Sequence, residues 1–369
     1  MARRRAGKRQ VGYAVIGLGQ GNESVLPAFA HARNAKLVAI VSSDEEQRRK
    51  LARRHGCDAY ALDALDACLA RPDLDAVYLG APGDRRADLA VRCARAGAHV
   101  LCERPLGSSE EECRRIIDAC RDAGVELSTA YRLGFDRAHR EVVRMVEQGR
   151  IGEPRFFSST FSVQARPGQI KTSAERGGGA IWELGVDCIQ AARSLFHADP
   201  VEVFALRADR PGDPRFAEIH EGMSVLLKFP EGRLAQFTVS FGGAEQDQYR
   251  LVGTRGHLQL ERGSADAGPR RLRIATGGKE RVRTFRPSDP LAAQLQTFSR
   301  AVLDDQPVEP DGEEGLREVR IVVAALKSAR ENRPLNLSWP ARRPEPADRI
   351  SRPKIFEPRL IAVAAPALE

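Results

Sequence analysis

The feature that most limits the fold of this chain is a regular alternation of short apolar and amphipathic segments between residues 11 and 128. The apolar segments have the length of buried strands, and the segments between them have the spacing of helices with one apolar face. Strands are predicted at 11–16, 37–41, 76–79, 99–101 and 125–128, and helices at 23–33, 44–55, 84–96 and 108–123. This order predicts an α/β fold that begins with a doubly wound parallel sheet, covered by helices on both faces.

The pattern changes after a predicted helix at about 138–147. Turn signals at 230–232 and 253–256 separate neighbouring apolar runs, so consecutive strands are expected to pair as antiparallel hairpins. Strands are predicted at 154–163, 201–207, 223–229, 234–241, 249–252 and 257–261, and helices from the glycine triplet 177–179 to about 196, at 291–303 and at 313–328. We therefore predict a C-terminal α+β domain with a large, mainly antiparallel open-faced sheet and helices on one face.

A chain of 369 residues is too long for one core and fits two domains. We divide it into a basic tail at 1–10, a first domain at 11–130, a second domain at 131–338 and an extended tail at 339–369. The last segment is rich in proline and arginine, which is typical of extended chain.

Composition excludes several classes of protein. The net charge of +8 comes from arginines that are scattered along helical faces, and the one basic run is short, so nucleic acid is not expected as a partner. That run consists of Arg3, Arg4, Arg5, Lys8 and Arg9. No segment approaches the roughly 20 apolar residues of a membrane helix, and no apolar stretch of signal-peptide length follows the basic start. Seven cysteines without a C-x-x-C pair argue against disulfides and zinc, so we expect a reduced, cytoplasmic location and no metal.

A glycine-rich turn follows the first predicted strand and opens the first predicted helix. In this position Gly17 can form a tight turn and Gly19 can let the backbone approach a pyrophosphate. Asn22 occupies the third small position of the pattern, and Gly21 comes one residue early. The sequence predicts a nucleotide-binding Rossmann domain in which the turn residues Gly17, Gly19, Gln20, Gly21 and Asn22 contact the cofactor.

The end of the second predicted strand bears on which nucleotide is bound. Ser42 and Ser43 follow Val41, before Asp44, and Arg48 lies one helical turn further on. Hydroxyl groups and an arginine suit a 2′-phosphate better than a free ribose diol. The sequence therefore slightly favours NADP over NAD, although Asp44 could reverse this preference.

Six motifs resemble the glucose-fructose oxidoreductase / inositol dehydrogenase (Gfo/Idh/MocA) family, and most closely its glucose-fructose oxidoreductase-like branch. The motifs are GLGQGNESVLPAF (17–29), HVLCERPL (99–106), IGEPRFFSSTFS (151–162), GGGAIWELGVDCIQAARSLF (177–196), FPEGRLAQFTVSFGG (229–243) and YRLVGTRGHLQLE (249–261). The resemblance implies a Rossmann domain followed by an open-faced sheet that commonly forms the dimer interface. It also implies a nicotinamide cofactor and a sugar, cyclitol or related alcohol as substrate.

The resemblance places Pro82, Glu103 and Arg104 at the cofactor, but the site departs from the family pattern. Arg104 stands where the family has the lysine of E-K-P. Glu183 stands where the family has an aspartate, and Asp187 where it has a tyrosine or histidine that carries the proton. The family's asparagine and histidine after the fourth strand correspond to Gly83 and Arg86.

These departures change the chemistry that the site can perform. The pKa of an arginine is above about 12, so Arg104 can hold a substrate or stabilise an alkoxide but cannot exchange a proton. Glu183 and Asp187 are four residues apart on a predicted helix and are expected to face the same side, where each can raise the pKa of the other. The predicted mechanism has Asp187 or Glu183 accept the hydroxyl proton while Arg104 stabilises the developing negative charge.

A second hypothesis is that Arg104 forms an ion pair with Asp187 and Glu183 in a catalytically divergent protein. Such a protein would bind the cofactor without dehydrogenase activity, or would use the site for a non-redox reaction. Under the main hypothesis, Arg166, Lys171, Trp182 and Asp187 are predicted to bind a sugar-like or polyol-like substrate. Trp182 is equally compatible with core packing. We expect a homodimer or homotetramer that assembles through the C-terminal sheet.

Overall fold

The computed structural model describes residues 10–18, 22–165, 178–210, 212–261 and 268–339. The first strands form one parallel sheet: β1 (Val11–Ile16), β2 (Ala35–Val41), β3 (Asp58–Tyr60), β4 (Ala76–Leu79), β5 (His99–Glu103) and β6 (Leu127–Ala130). Their spatial order is β3-β2-β1-β4-β5-β6, and every neighbouring pair is parallel. The order reverses between β1 and β4, which opens a crevice at the carboxyl ends of these strands, the usual ligand position in such sheets.

The helices that connect these strands are α1 (Val25–Ala28), α2 (Glu45–His55), α3 (Leu65–Leu69), α4 (Gly83–Arg95) and α5 (Glu110–Asp122). The predicted helix at 23–33 was wrong in length, because a 3-10 turn at Asn22–Ser24 precedes the four-residue α1. Pro27 lies inside α1 and has no N–H to donate back to Glu23, so a continuous α-helix cannot form there. The sequence prediction also omitted β3 and α3.

The second sheet has nine strands: β7 (Pro154–Ser162), β8 (Glu202–Ala208), β9 (Gly222–Lys228), β10 (Leu234–Ser240), β11 (Gln246–Gly253), β12 (Gly256–Glu261), β13 (Arg270–Thr276), β14 (Lys279–Phe285) and β15 (Leu335–Asn336). They run in the order β14-β13-β12-β11-β7-β10-β9-β8-β15. Only β7 and β10 pair in parallel; the other pairs are antiparallel. The predicted fold class is thus confirmed for both sheets.

The sequence prediction missed β13 and β14 because both strands are rich in charged residues. Every residue of β14 is exposed except Phe285. This strand forms one edge of the sheet, where charged side chains discourage pairing with another chain. A strand with no buried face has no apolar alternation from which to predict it.

Four helices complete the fold: α6 (Arg137–Glu147), α7 (Val186–Phe196), α8 (Pro290–Asp304) and α9 (Gly312–Glu331). A π-helical turn at Ile181–Gly185 leads into α7. The sequence placed α8 with the second sheet, but this helix packs against β1, β2 and α1 of the first sheet. Its apolar residues Leu295 and Phe298 join the core on that side, and the Tyr13 hydroxyl hydrogen-bonds Ser299 Oγ at 2.8 Å.

The two sheets share a continuous core, because α9 contacts α5, α7, β6 and β8. This helix therefore touches both sheets and fixes the ends of β5 and β6 relative to α7. All seven cysteines lie in the described residues as free thiols, and six of them are buried. None of the described helices combines the length and the apolar character needed to cross a bilayer.

The two predicted tails are described only where they join the fold. Apart from Gln10 and Trp339, the segments 1–10 and 339–369 lie outside the described residues. The indole N–H of Trp339 donates to the Pro200 carbonyl at 2.6 Å, and the guanidinium groups of Arg317 and Arg320 lie over its ring. These contacts hold Trp339, the last described residue, beside α9.

Candidate active site

Arg104 and Asp187 meet where the two sheets face each other. Arg104 follows β5, and Asp187 is the second residue of α7. Nη2 of Arg104 lies 3.4 Å from Oδ2 of Asp187, and both side chains are largely buried. Burial opposes the charge on Arg104, but the negative charges of Asp187, Glu103 and Glu183 raise the pKa of this guanidinium overall. Arg104 is therefore a permanent cation held against a carboxylate.

Glu183 contributes to this site differently from the prediction. It lies in the π-helical turn rather than in a regular α-helix with Asp187. Its main-chain carbonyl accepts a hydrogen bond from Nη1 of Arg104 at 3.0 Å. The guanidinium thus bridges one carbonyl and one carboxylate. The predicted pairing of the Glu183 and Asp187 carboxylates remains a prediction.

Glu103, the residue before Arg104, is buried and fully engaged with its neighbours. Its Oε1 accepts hydrogen bonds from the Tyr78 hydroxyl and from Nη2 of Arg132, the latter at 2.9 Å. Its Oε2 accepts from the Arg104 N–H at 3.2 Å. Burial would raise the pKa of Glu103, but Arg132, Tyr78 and Arg104 together hold it below its ordinary value. In these contacts Glu103 orients the chain at Arg104, while its predicted contact with a cofactor stays a prediction.

Arg86 hydrogen-bonds to the loop after β4 and to the loop after β5. Its Nε and Nη2 donate to the Ala81 carbonyl at 3.1 and 2.8 Å, and its Nη1 donates to the Pro105 carbonyl. The side chain is buried. At the position that the resemblance assigns to the family's histidine, Arg86 therefore connects the loop after β4 to the loop after β5. This connection helps to position Arg104.

A second layer of charged groups lies behind Arg104 and Asp187. Arg193 on α7 binds Asp199 at 2.6 Å and Glu314 at 2.9 Å. One turn beyond Glu314 on α9, Glu318 is almost completely buried. Burial raises the pKa of Glu318 to about 8, against the lowering effects of Tyr131, Arg104 and Arg193. This carboxyl is therefore largely protonated at neutral pH.

The turn after β1 approaches the loop after β4 very closely. Gly17 has a φ of +88°, and a Cβ there would lie 2.8 Å from Ala81 N and 2.9 Å from Ala81 Cα. Its N–H donates to the Val41 carbonyl at 2.9 Å. Only glycine fits this position, which brings the ends of β1, β2 and β4 together at the crevice.

The residues after β2 are held by hydrogen bonds at the start of α2. Asp44 accepts a hydrogen bond from the Gln47 N–H and so caps α2. Nη1 of Arg48 donates to the carbonyls of Ser42 and Ser43 at 3.2 and 3.5 Å. The carboxylate of Asp44 is thus committed to its own helix, while the Arg48 guanidinium lies at the strand end.

The remaining predicted site residues fall into three groups. The first group, Gly19, Gln20, Gly21, Arg166 and Lys171, lies outside the described residues. Asn22 begins the 3-10 turn, and Pro82 is exposed directly before α4. Trp182 is buried in the core, which supports its packing role rather than a place on a pocket wall.

Sequence reasoning did not identify Tyr131, Arg132 or Glu318 as site residues. Glu318 carries a signal that could have revealed it, because it lies on the buried stripe of α9 with Gly315, Val322 and Ala325. A carboxylate on an apolar stripe indicates a specific role, because burying a charged group without a partner is costly. Tyr131 and Arg132 carry no comparable signal, since their partners are distant in sequence.

Comparison with known proteins places these features in a family. Residues 11–131 match the oxidoreductase family with an NAD-binding Rossmann fold, and residues 139–259 match the GFO/IDH/MocA C-terminal domain. Among curated relatives, D-xylose 1-dehydrogenase (NADP(+)) 2 of Haloferax volcanii is 31% identical over 322 residues, covering 86% of this chain and 97% of that protein.

Solved structures agree with this assignment. The aldose-aldose oxidoreductase from Caulobacter crescentus, complexed with glycerol, is 29% identical with a TM-score of 0.85, covering 89% of this chain and 100% of that one. A 3-ketoreductase from Actinomadura kijaniata, in complex with NADP and TDP-benzene, is 27% identical with a TM-score of 0.78, covering 87% of this chain and 98% of that one. The chain therefore belongs to the Gfo/Idh/MocA oxidoreductase family, as its sequence motifs predicted.

Proposed function

We propose that this protein is an NAD(P)-dependent oxidoreductase that interconverts a hydroxyl and a carbonyl group on a sugar or polyol. The observation that carries the proposal is the contact between Arg104 and Asp187 at the carboxyl edge of the Rossmann sheet. The named relatives support the substrate class, because they include a xylose dehydrogenase and an aldose-aldose oxidoreductase.

In this mechanism Asp187 is the proton acceptor and Arg104 is the electrostatic partner of the reacting oxygen. A nicotinamide bound in the crevice supplies the acceptor of the hydride from the alcohol carbon. Asp187 takes the hydroxyl proton as the C=O bond forms, and Arg104 stabilises the negative charge that develops on oxygen. In the reverse direction Asp187 returns the proton. Glu183 holds the guanidinium in place through its carbonyl.

The described residues fit a dinucleotide, and we propose that NADP is preferred. Gly17 leaves no side chain in the turn after β1, where the backbone must approach a pyrophosphate. At the end of β2 the Ser42 and Ser43 loop offers hydroxyls beside Arg48, and Asp44 is engaged as the helix cap. One oxygen of Asp44 is used in this way, and the Arg48 guanidinium supplies the positive charge that favours a 2′-phosphate.

Arg166 and Lys171 remain proposed substrate contacts, whereas the burial of Trp182 favours core packing. The buried position of Trp182 supports a role in shaping the second sheet behind the substrate. The relatives differ in the sugar or polyol that their names specify, so the substrate is proposed here only as a class.

We also propose that two copies assemble through the open face of the second sheet. A depression of about 460 Å³ crosses this face, and its lining includes Ser158, Leu226 and Gln236. Phe156, Leu206 and Leu226 are exposed large apolar side chains on β7, β8 and β9. An exposed face of polar groups with interspersed apolar side chains is suited to a second copy of the same face.

The test begins with titration of the purified protein with NADPH and NADH, followed by nicotinamide fluorescence. The protein as isolated is first analysed for bound cofactor. Aldoses and polyols are then screened with the wild type, Arg104→Lys and Asp187→Asn. We expect tighter binding of NADPH, and turnover in the wild type that Asp187→Asn abolishes while its cofactor affinity is unchanged.

Two results would contradict this proposal. A folded protein that binds neither nucleotide is not a nicotinamide-dependent enzyme. A protein that binds NADPH but shows no turnover with any aldose or polyol is the divergent form, in which the Arg104 and Asp187 pair only stabilises the structure. Full turnover in Asp187→Asn would remove Asp187 from the mechanism without excluding the reaction.

A further inference from the structure

We propose that Glu318 is the second carboxyl of this site, a buried positioning residue that stays neutral so that Asp187 alone balances Arg104. The proposal rests on the proposed function and assigns a role to a residue on α9 that does not touch the substrate. Its basis is the way in which α9 is packed against the ends of β5 and β6.

The first turns of α9 pack against the loop that follows β5 and contains Arg104. The helix begins at Asp311, whose carboxylate accepts from the Glu314 N–H at 3.0 Å. A Cβ at Gly315 would lie 2.5 Å from Thr129 Oγ1 and 2.9 Å from Leu106 Cβ, so the backbone of α9 packs closely against β6 and the loop after β5. Glu318 follows three residues later and therefore lies on the same helix face.

This face is buried along its length, and the carboxyl of Glu318 is buried with it. Glu318 is 1% exposed, and Val322 and Ala325, further along the same stripe, are 0% exposed. Both carboxylate oxygens are closed off from solvent, and among the described residues neither accepts a hydrogen bond of ordinary geometry. An ionised carboxylate in such surroundings is costly unless a cation is available to it.

The charged and titratable groups around Glu318 come from every neighbouring element. Arg104 follows β5, Tyr131 follows β6, and Asp187 and Arg193 belong to α7. Both arginines are already engaged: Arg104 with Asp187 and the Glu183 carbonyl, and Arg193 with Asp199 and Glu314. Glu318 therefore has no cation of its own, and burial raises its pKa to about 8 despite the lowering effect of Tyr131.

The protonation state of Glu318 consequently controls the strength of the Arg104 and Asp187 pair. While Glu318 is neutral, the full positive charge of Arg104 is available to Asp187 and to the reacting oxygen. When Glu318 loses its proton, a second negative charge competes for Arg104 and weakens the stabilisation that Arg104 gives to the reacting oxygen. Turnover should therefore decrease as the pH rises through the pKa of Glu318.

The experiment compares the wild type with Glu318→Gln, in which the side chain keeps its shape but cannot ionise. In the wild type we expect kcat to fall about 10-fold or more above pH ~8. In Glu318→Gln this alkaline decrease should disappear, with kcat at neutral pH within about 3-fold of the wild type. Glu318→Asp, which restores a titrating carboxyl, should restore the decrease. A purely structural role for Glu318 would lower stability but leave the pH profile unchanged.

The matched control is Glu314→Gln, one helical turn earlier, where the carboxylate is partly exposed and bound to Arg193. This variant should retain the alkaline decrease. If Glu318→Gln does not fold, Tyr131→Phe serves instead. Because the Tyr131 hydroxyl lowers the pKa of Glu318, its removal should move the inflection to higher pH.

A second measurement needs no turnover. In protein labelled with carboxyl ¹³C aspartate, the Asp187 resonance, identified by its loss in Asp187→Asn, should show a titration step near the pKa of Glu318. The step should vanish in Glu318→Gln and persist in Glu314→Gln. Absence of the step in the wild type, or its persistence in Glu318→Gln, would overturn the proposal. A step without turnover under any condition would instead contradict the proposed function and leave the coupling established.

Discussion

Nη2 of Arg104 lies 3.4 Å from Oδ2 of Asp187, although the two residues are 83 positions apart, one directly after β5 and the other on α7. The pair joins the carboxyl edge of the Rossmann sheet to the first turn of α7. Asp187, the proposed proton acceptor, is therefore bound to Arg104, which the resemblance places at the family's lysine position. In the proposed mechanism, substrate binding and proton transfer both depend on this contact.

Replacing Arg104 with methionine should destabilise the protein by about 2 to 3 kcal/mol, because it leaves the largely buried Asp187 without its cation. Urea unfolding measures the loss. Arg104→Lys keeps the positive charge and should recover at least half of it. Arg92→Met removes a solvent-exposed pair with Asp66 and should cost at most about 0.5 kcal/mol. Equal losses in Arg104→Met and Arg92→Met would mean that the buried Arg104–Asp187 pair contributes no more to stability than the exposed Arg92–Asp66 pair.

Replacing Gly17 with alanine should destabilise the protein by about 2 kcal/mol or more and should also weaken NADPH binding. The added Cβ meets the Ala81 backbone, and φ is unfavourable for any side chain. Gly56→Ala is the control, because Gly56 also has a positive φ but has open space around its Cβ position. It should cost only about 1 kcal/mol and leave NADPH affinity intact. Thermal unfolding and fluorescence titration distinguish the two effects.

Replacing Arg48 with alanine should weaken NADPH binding about 10-fold and change NADH binding little, since only NADPH carries the phosphate that Arg48 would contact. Arg49→Ala is matched in charge and helix position, but Arg49 points to solvent and pairs with Glu45. It should leave both affinities unchanged. If Arg48→Ala reduced the affinity for both nucleotides equally, the preference for NADP would have to come from another residue.

Glu318 should make the stability of the protein decrease between about pH 4.5 and about pH 8. The pKa of this carboxyl is raised from its ordinary 4.5 to about 8 in the folded state, so the folded protein binds more protons than the unfolded chain between these values. Stability should therefore fall as the pH rises from about 4.5 to about 8 and become constant above that range. Denaturant unfolding at several pH values should show a smaller slope in Glu318→Gln. An identical slope in both proteins would mean that Glu318 ionises normally.

Charged substitutions on the open sheet face should disrupt the proposed assembly. Leu206→Asp combined with Leu226→Arg places charges among the exposed apolar groups of β8 and β9, and sedimentation velocity should then detect monomers. Val323→Asp alters an exposed apolar residue on α9, away from the open face of the sheet, and should leave the assembly unchanged. A wild type that sediments as a monomer at micromolar concentration would contradict the interface outright.

Much of the fold could be predicted because it depends on local patterns. The bounds of β1 and β4 agree with the prediction, since both are uninterrupted apolar runs buried on both faces. The helix predicted at 44–55 is α2 with Asp44 as its cap. Where the local pattern was weak, as in the charged strands β13 and β14, or was broken by Pro27, the prediction was incomplete or wrong.

By itself the sequence determined the two-sheet architecture and the family, because these follow from periodicity and motifs along the chain, and it predicted which residues form the site. The tertiary structure decided what those residues do to one another. Only folding brings Arg104 to Asp187, places the Glu183 carbonyl at the guanidinium, and buries Glu318. The physical reason is that ionisation and pairing depend on burial and on neighbours in space, and residues far apart in sequence supply both.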